Sequence, residues 1–304
     1  MAPRELIIDG NNLVMRAIKV AQGKQVHLAA EVDGEEVPTA ALTIFVRMLT
    51  AIVREQAPRG LIVCWDGGRS QRRVAMYPDY KAHRVQPFED GEEEQSKRTT
   101  FDLAQTFLGL SGVATVRVPG FEADDLVSYY WARRGQGCTV IIVSADKDFL
   151  QLADEETFLL RPGEDGLYGV EEIRARYNCH PRDLASVMAL MGDPGDNIPG
   201  VKGVGVKRAV AMLREADWDL HRLLDDPPRL LQGQKDLVLR NLSLIELRTN
   251  EALLPLTSDE PDQIPRFDPT DVDALAYEAL VWFLDRYRLH DALNRLESGT
   301  LWRS

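Results

Sequence analysis

Two acidic stretches, Gly120-Phe121-Glu122-Ala123-Asp124-Asp125 and Ser144-Ala145-Asp146-Lys147-Asp148, flank the apolar run Thr139-Val140-Ile141-Ile142-Val143. The run is β-branched and uninterrupted, which predicts a buried strand of a parallel sheet. The first acidic stretch opens a helix, expected to run to about residue 134, and the second closes the strand. Five carboxylates thus fall within about thirty residues. Like charges about 4 Å apart cost roughly 4 kcal/mol per pair at an effective dielectric of about 20. Protons or cations must offset that cost. Hard oxygen ligands in such number point to a divalent ion of the Mg²⁺ or Mn²⁺ type.

The same strand-then-acid pattern recurs upstream. Residues 5–9 read as a short buried strand ending on Asp9, followed by a turn at Gly10-Asn11-Asn12 and a helix over about 13–20. Residues 60–65 read as a second strand, closed by Asp66. Between them, 23–36 reads as a loop or hairpin, and Pro38 is placed in the first turn of a helix reaching to about residue 56. A helix over 100–110 and a strand over 114–118 follow. Alternation of strands and helices predicts an α/β fold with a largely parallel sheet. Asp9, Asp66 and Asp146 each stand just past a strand, where ligand sites of open α/β sheets lie. A helix-capping acid would account for Asp9 alone. A cap needs one acid, whereas Glu122, Asp124 and Asp125 supply three.

Beyond residue 155 come short strands at 157–160 and 167–170, then helices at 170–177, 181–191, 235–249 and 272–296, with loops at 225–233 and 255–269. The stretch from Gly192-Asp193 through Asp196-Asn197-Ile198-Pro199-Gly200-Val201-Lys202-Gly203-Val204-Gly205-Val206-Lys207 is rich in glycine. Gly200, Gly203 and Gly205 permit a tight turn with exposed backbone N–H groups before a helix N-terminus, an anion cradle that Lys202 and Lys207 favour. A plain connector between two helices is the competing reading. Asp193 and Asp196 would oppose phosphate unless they face a metal. Residues 67–84 mix Arg and Lys with tyrosines, a combination suited to single-stranded nucleic acid. A solvated loop is equally compatible with that stretch taken alone.

The chain has 304 residues, 44% of them hydrophobic and 28% charged, with a net charge of −12. That length supports a sizeable core in one or two domains. The negative balance speaks against nucleic-acid binding through overall charge, so such binding would rest on local patches. Cys64, Cys138 and Cys179 lack metal-ligand spacing and read as buried thiols of a reducing, cytoplasmic compartment. No signal peptide and no membrane-spanning run is evident.

These motifs in this order resemble the 5′-nuclease, or flap endonuclease, family: Ile8-Asp9-Gly10-Asn11, Trp65-Asp66-Gly67, Arg73 with Tyr80-Lys81-Ala82-His83-Arg84, Glu122-Ala123-Asp124-Asp125, Ser144-Ala145-Asp146-Lys147-Asp148 and Gly192-Asp193 with Asp196-Asn197. The resemblance covers roughly residues 4–250 and extends to the amino-terminal domain of bacterial DNA polymerase I. It implies a PIN-like α/β nuclease core over 1–178 with an arch inserted at about 67–110. A helical part over 179–304 would carry a helix–three-turn–helix element at about 187–212. It further implies a phosphodiesterase acting on DNA with 5′ flaps, nicks or 5′ ends by a two-metal-ion mechanism, as a monomer with no membrane role. Asp9, Asp66, Glu122, Asp124, Asp125, Asp146, Asp148, Asp193 and Asp196 would surround Mg²⁺ or Mn²⁺. Lys81 and Arg84, three residues apart and so on one face of a helical turn, would be catalytic. Arg73 would contact phosphate and Tyr80 would stack on a base. Lys202, Lys207 and the three glycines would grip duplex, with K⁺ at that element. A PIN-like ribonuclease and a non-catalytic DNA-structure-binding protein are the rival readings.

Overall fold

The structure is a computed structural model that describes residues 2–84, 91–248, 261–268 and 274–303, without the side chains of Arg84 and Glu92. Residues 85–90 of the stretch expected to form an arch, and residues 255–260 and 269 of the loop expected at 255–269, lie outside the described residues.

A six-stranded sheet organises the chain. Its strands are β1 (Arg4–Asp9), β4 (Gly60–Trp65), β5 (Ala114–Arg117), β6 (Thr139–Val143), β7 (Thr157–Leu160) and β8 (Leu167–Tyr168). The order is β5-β4-β1-β6-β7-β8, parallel except for β8. A separate hairpin pairs β2 (Ala29–Val32) with β3 (Glu35–Pro38). Because side chains alternate along a strand, each central strand feeds two cores. Ile7, Ile62, Val140 and Ile142 point to one face, where they meet α5 (Ala123–Ala132), α7 (Leu184–Met191), α8 (Val206–Glu215), α9 (Leu220–Asp225) and α10 (Lys235–Ile245). Leu6, Ile8, Leu61, Val63, Ile141 and Val143 point to the other. That face meets α1 (Gly10–Gly23), α2 (Ala40–Gln56), α4 (Glu92–Leu110), α11 (Ala274–Arg286) and α12 (His290–Glu297). The remaining helices are α3 (Gln71–Met76) and α6 (Val170–Tyr177). The last two helices therefore cover the opposite side of the sheet from α7–α10.

Three of the differences from expectation have a clear local cause. Pro38 ends β3, opposite Ala29, rather than entering the helix, since a strand end tolerates its missing N–H. Helix α4 starts at Glu92, well before the apolar stripe that begins at Phe101. Its polar first turns carry a Lys97–Glu93 pair at 2.9 Å, one helical turn apart. The single helix expected over 272–296 is two, broken where Arg288 takes a left-handed φ of 54° and Leu289 is buried. All three cysteines are buried and unpaired. Among the described residues no helix is long and apolar enough to cross a membrane.

Candidate metal centre

Strands β4, β1 and β6 are immediate parallel neighbours, so their carboxyl ends deliver Asp9, Asp66 and the 144–148 turn to one edge. Asparagine and serine side chains stitch these ends together. Asn11 Oδ1 accepts the Asp66 N–H at 2.9 Å, Asn12 Oδ1 accepts the Ala145 N–H at 3.0 Å, and Ser144 Oγ donates to Asp9 Oδ2 at 2.9 Å. Asp66 Oδ1 in turn accepts the Ala123 N–H at 2.7 Å, pinning the start of α5 against β4. The approach is close at Gly67, where a Cβ would fall 1.8 Å from the Val118 carbonyl oxygen. Burial first, then the Asp66 charge, lifts Asp9 to about 7. Asp66 is raised too, chiefly by burial.

Glu122, Asp124 and Asp125 open α5, with Asp125 accepting the Glu122 N–H at 3.1 Å. Three cationic or phenolic groups from the segment after β4 meet them. Arg73 reaches Glu122 at 2.7 Å, Asp124 at 3.0 Å and Asp125 at 2.9 Å. The Tyr80 hydroxyl donates to Glu122 at 2.8 Å. Lys81 Nζ donates to Glu122 at 2.8 Å and lies 3.7 Å from Asp196. Burial resists ionisation at both aspartates. Arg73 and Lys81 outweigh it at Asp124, which falls below the usual carboxylate range. Asp125, beside the Asp124 charge, rises to about 6.

Two readings of the sequence are corrected here. Arg73 is 0% exposed and Tyr80 1%, so neither offers a face to a phosphate or a base. Both serve the acids instead: Arg73 is their internal counter-ion and Tyr80 their hydrogen-bond donor. Removing one partner of a buried ion pair costs about 3–5 kcal/mol. Arg73→Ala is therefore expected to destabilise the metal-free protein by that order in urea unfolding, and Mg²⁺ should recover part of the loss. Unchanged stability without metal would rule out the counter-ion role. A third correction concerns Lys81 and Arg84. Lys81 has a left-handed φ of 51° and stands before the 3₁₀ turn Ala82–Arg84, so Lys81 is not itself part of the helical turn expected to carry both. The Arg84 side chain is outside the described residues.

The second acidic group forms across the β6 turn and the loop after α7. Asp146 caps the 3₁₀ turn Lys147–Leu152, accepting the Asp148 N–H at 3.0 Å. Asp193 lies in β9 (Gly192–Asp193), which pairs with β10 (Ile198–Pro199). Asp148, Asp193 and Asp196 bring one ligand oxygen each within 4.8 Å of one another. Asp148 Oδ1 is buried and accepts no hydrogen bond. Burial first, then Asp146, Asp193 and Asp196, drives the Asp148 carboxyl well above the usual range. Lys147 offsets part of the charge through Asp193 at 2.9 Å. An all-carboxylate set with an orphaned buried oxygen fits a hard divalent cation.

The two acidic groups are tied to each other through backbone as well. The Lys81 N–H donates to the Asp196 carbonyl at 3.0 Å, and Asn197 Nδ2 to the Asp79 carbonyl at 2.8 Å. Residues 241–248 brace the arrangement from behind. Asn241 Nδ2 donates to the carbonyls of Ala189 and Pro199, Arg73 Nε to that of Leu244, and Gln151 Nε2 to that of Ile245. Asn241 and Gln151 are fully buried. Nothing in the local sequence distinguishes these bracing amides from surface ones.

Lys202 and Lys207 are exposed, at the loop before α8 and in its first turn. Gly200 is sterically required, since a Cβ would sit 2.0 Å from the Met191 carbonyl oxygen. Gly203 has φ +82°, whereas Gly205 has open space around it.

Residues 4–178 match the family model of the 5′-3′ exonuclease, N-terminal resolvase-like domain. Residues 179–265 match that of the 5′-3′ exonuclease, C-terminal SAM fold. The chain is 30% identical over 210 residues to a 5′-3′ exonuclease of Aquifex aeolicus, covering 69% of this chain and 68% of that protein. It is 31% identical over 303 residues to the thermostable DNA polymerase I of Thermus aquaticus, 98% of this chain but 32% of that protein, so it spans about a third of the polymerase. Among solved structures, the T5 5′-exonuclease with bound divalent metal ions (zinc) superposes with a TM-score of 0.69 at 25% identity, covering 81% of this chain and 90% of that chain.

Proposed function

Because the chain belongs to the 5′-3′ exonuclease family, we propose that it is a Mg²⁺- or Mn²⁺-dependent nuclease that hydrolyses DNA phosphodiesters at 5′ flaps, nicks and 5′ ends. The observation that carries this reading is the position of Lys81, whose ammonium spans the two acidic groups, on Glu122 and Asp196. Asp9, Asp66, Glu122, Asp124 and Asp125 would hold metal on one side of it, and Asp146, Asp148, Asp193 and Asp196 on the other. Divalent ions held there would supply an activated water and stabilise charge on the phosphoryl oxygens.

The chain's own residues do the rest. Buried carboxylates fix the edge. Arg73 and Tyr80 orient the acids of α5. Lys81 offers its cation to the anionic phosphate, with Arg84 as its proposed companion. Burial opposes the Lys81 charge, but Asp124, Glu122 and Asp196 outweigh it and hold its pKa above the ordinary lysine value. It therefore acts as a fixed cation and not as a proton donor near neutrality. We take 1–178 as the nuclease core and 179–304 as the helical part. Residues 67–110 form the gateway for the single strand. Residues 187–212, with Lys202, Lys207, Gly200, Gly203 and Gly205, form the duplex grip and a K⁺ site. The enzyme would act as a cytoplasmic monomer.

Product sizing on 5′-flapped, nicked and blunt DNA, with and without Mg²⁺, tests the reading. Short products released from the 5′ side only with metal are expected. Cleavage of single-stranded RNA in preference to flapped DNA would overturn it.

A further inference from the structure

Beside the glycine-rich loop, Gly200, Val201 and Lys202 form one wall of an open cleft of about 620 Å³, and Arg229, Leu230 and Gln234 form the other. The second wall belongs to the connection between α9 and α10, outside the stretch read above as the duplex grip. We propose that this cleft is an additional phosphate-backbone site, in which Arg229 takes a duplex phosphate that Lys202 does not reach.

The cleft is built rather than incidental. The 3₁₀ turn Arg229–Leu231 is anchored by Leu231, 1% exposed in the core under α7–α10. It is closed by the Leu231 N–H on the Pro228 carbonyl at 2.8 Å and the Gln234 N–H on the Leu231 carbonyl at 3.0 Å. Helix α10 then ties the turn to the opposite wall, since Asn241 Nδ2 donates to the Pro199 carbonyl at 2.8 Å, one residue before Gly200. Both walls are thereby held at a set separation.

The charges are also unspent. Among the described residues neither Lys202 nor Arg229 has an ion-pair partner, whereas Arg73, Arg134, Arg222, Lys147 and Lys235 all do. Of the two acids that precede Arg229 in sequence, Asp225 and Asp226, the first is already taken by Lys235 at 2.6 Å. In a chain of net charge −12, two free cations facing one cleft favour a polyanion. A planar guanidinium suits a phosphate bidentately, and the Gln234 amide adds a neutral donor. Duplex is favoured over a single strand because two fixed walls match a regular backbone.

This site rests on the duplex-grip reading, and the test separates the two. Affinity for flapped DNA would be measured in Ca²⁺ across a salt series for the full chain, Lys202→Ala, Arg229→Ala and Arg229→Lys. Arg229→Ala is expected to weaken binding several-fold and to make the log–log salt slope shallower by about 0.9, the value of one phosphate contact. Arg229→Lys should restore the slope but not all of the affinity. On a duplex shortened stepwise, Arg229→Ala and the unaltered chain should converge while Lys202→Ala stays weaker. If Lys202→Ala weakens binding and Arg229→Ala matches the unaltered chain in affinity and slope, the additional site is refuted and the grip stands. If neither variant changes the slope, duplex lies elsewhere and both readings fall.

Discussion

Lys81→Ala is expected to lower the single-turnover cleavage rate by about 10²-fold or more, while affinity for flapped DNA measured in Ca²⁺ changes far less. The magnitude is that of losing one donor to charge developing in a transition state. The direction follows from where Lys81 sits. Its ammonium is held by Glu122 at 2.8 Å and faces Asp196 at 3.7 Å, on a residue whose backbone takes the left-handed region. That conformation is costly for a residue with a Cβ and persists only where neighbours enforce it. Here the Asp196 carbonyl enforces it by accepting the Lys81 N–H at 3.0 Å. A cation so fixed would gain most if the substrate phosphate is bound between the acidic groups and gains charge there, which is differential binding of the transition state. Because the surrounding acids keep Lys81 charged, the pH–rate profile of the unaltered enzyme should owe no limb to it near neutrality. Loss of affinity with a normal saturated rate would make Lys81 a tether for the strand and leave the chemistry to the metals.

Much of this centre was legible because its chemistry is written at strand ends. The runs at 5–9, 60–65 and 139–143 are apolar and short, each followed by an acid, and parallel pairing of β4, β1 and β6 then fixes a common edge. What the sequence could not show was adjacency in the sheet, which depends on crossovers and not on any local pattern. It also misassigned Arg73 and Tyr80. In sequence, a basic and aromatic excursion reads as a nucleic-acid surface. In the structure its first part folds inward, because three acids at the start of α5 leave a buried charge that an arginine can neutralise at 2.7–3.0 Å. The polar start of α4 was illegible for a related reason. Pairs such as Glu93–Lys97 stabilise a helix without producing an apolar stripe.

The bracing amides teach the same lesson at longer range. Asn241 and Gln151 lie in unremarkable local contexts, yet each satisfies backbone groups far away in the chain. Asn241 holds α7 and the loop at Pro199, and Gln151 holds the segment after α10 against the turn that carries Asp148. Buried polar groups demand partners, but which partners they find is a property of the assembled fold.

Asp148→Ala is expected to abolish most cleavage and, in the same protein without metal, to raise stability. Loss of an outer-sphere partner of a metal costs about 10–100-fold in affinity or activity. Asp148 would be a direct ligand beside Asp193 and Asp196, so the fall in turnover should exceed that range. The stability change has the opposite sign. Burial, Asp146, Asp193 and Asp196 raise the Asp148 carboxyl well above its ordinary pKa. The folded chain therefore keeps that proton to a higher pH than the unfolded chain does. As pH rises from the ordinary carboxylate value toward the raised one, the unfolded state has already lost the proton and the folded state must lose it at a cost. Stability of the metal-free wild type should accordingly fall as pH rises through that interval. The variant lacks this contribution and should fall less, which urea unfolding at a series of pH values in EDTA would register. Adding Mg²⁺ reverses the order. Binding to the native state alone stabilises it by about 2.7 kcal/mol at one hundred times Kd. The wild type should gain most of that and the variant much less. A variant that kept the full Mg²⁺ gain and cleaved at a near-normal rate would remove Asp148 from the metal centre. Asp193 and Asp196, 4.8 Å or less from its oxygen, would then have to be explained as a charge cluster held by Lys147 and Lys81 alone.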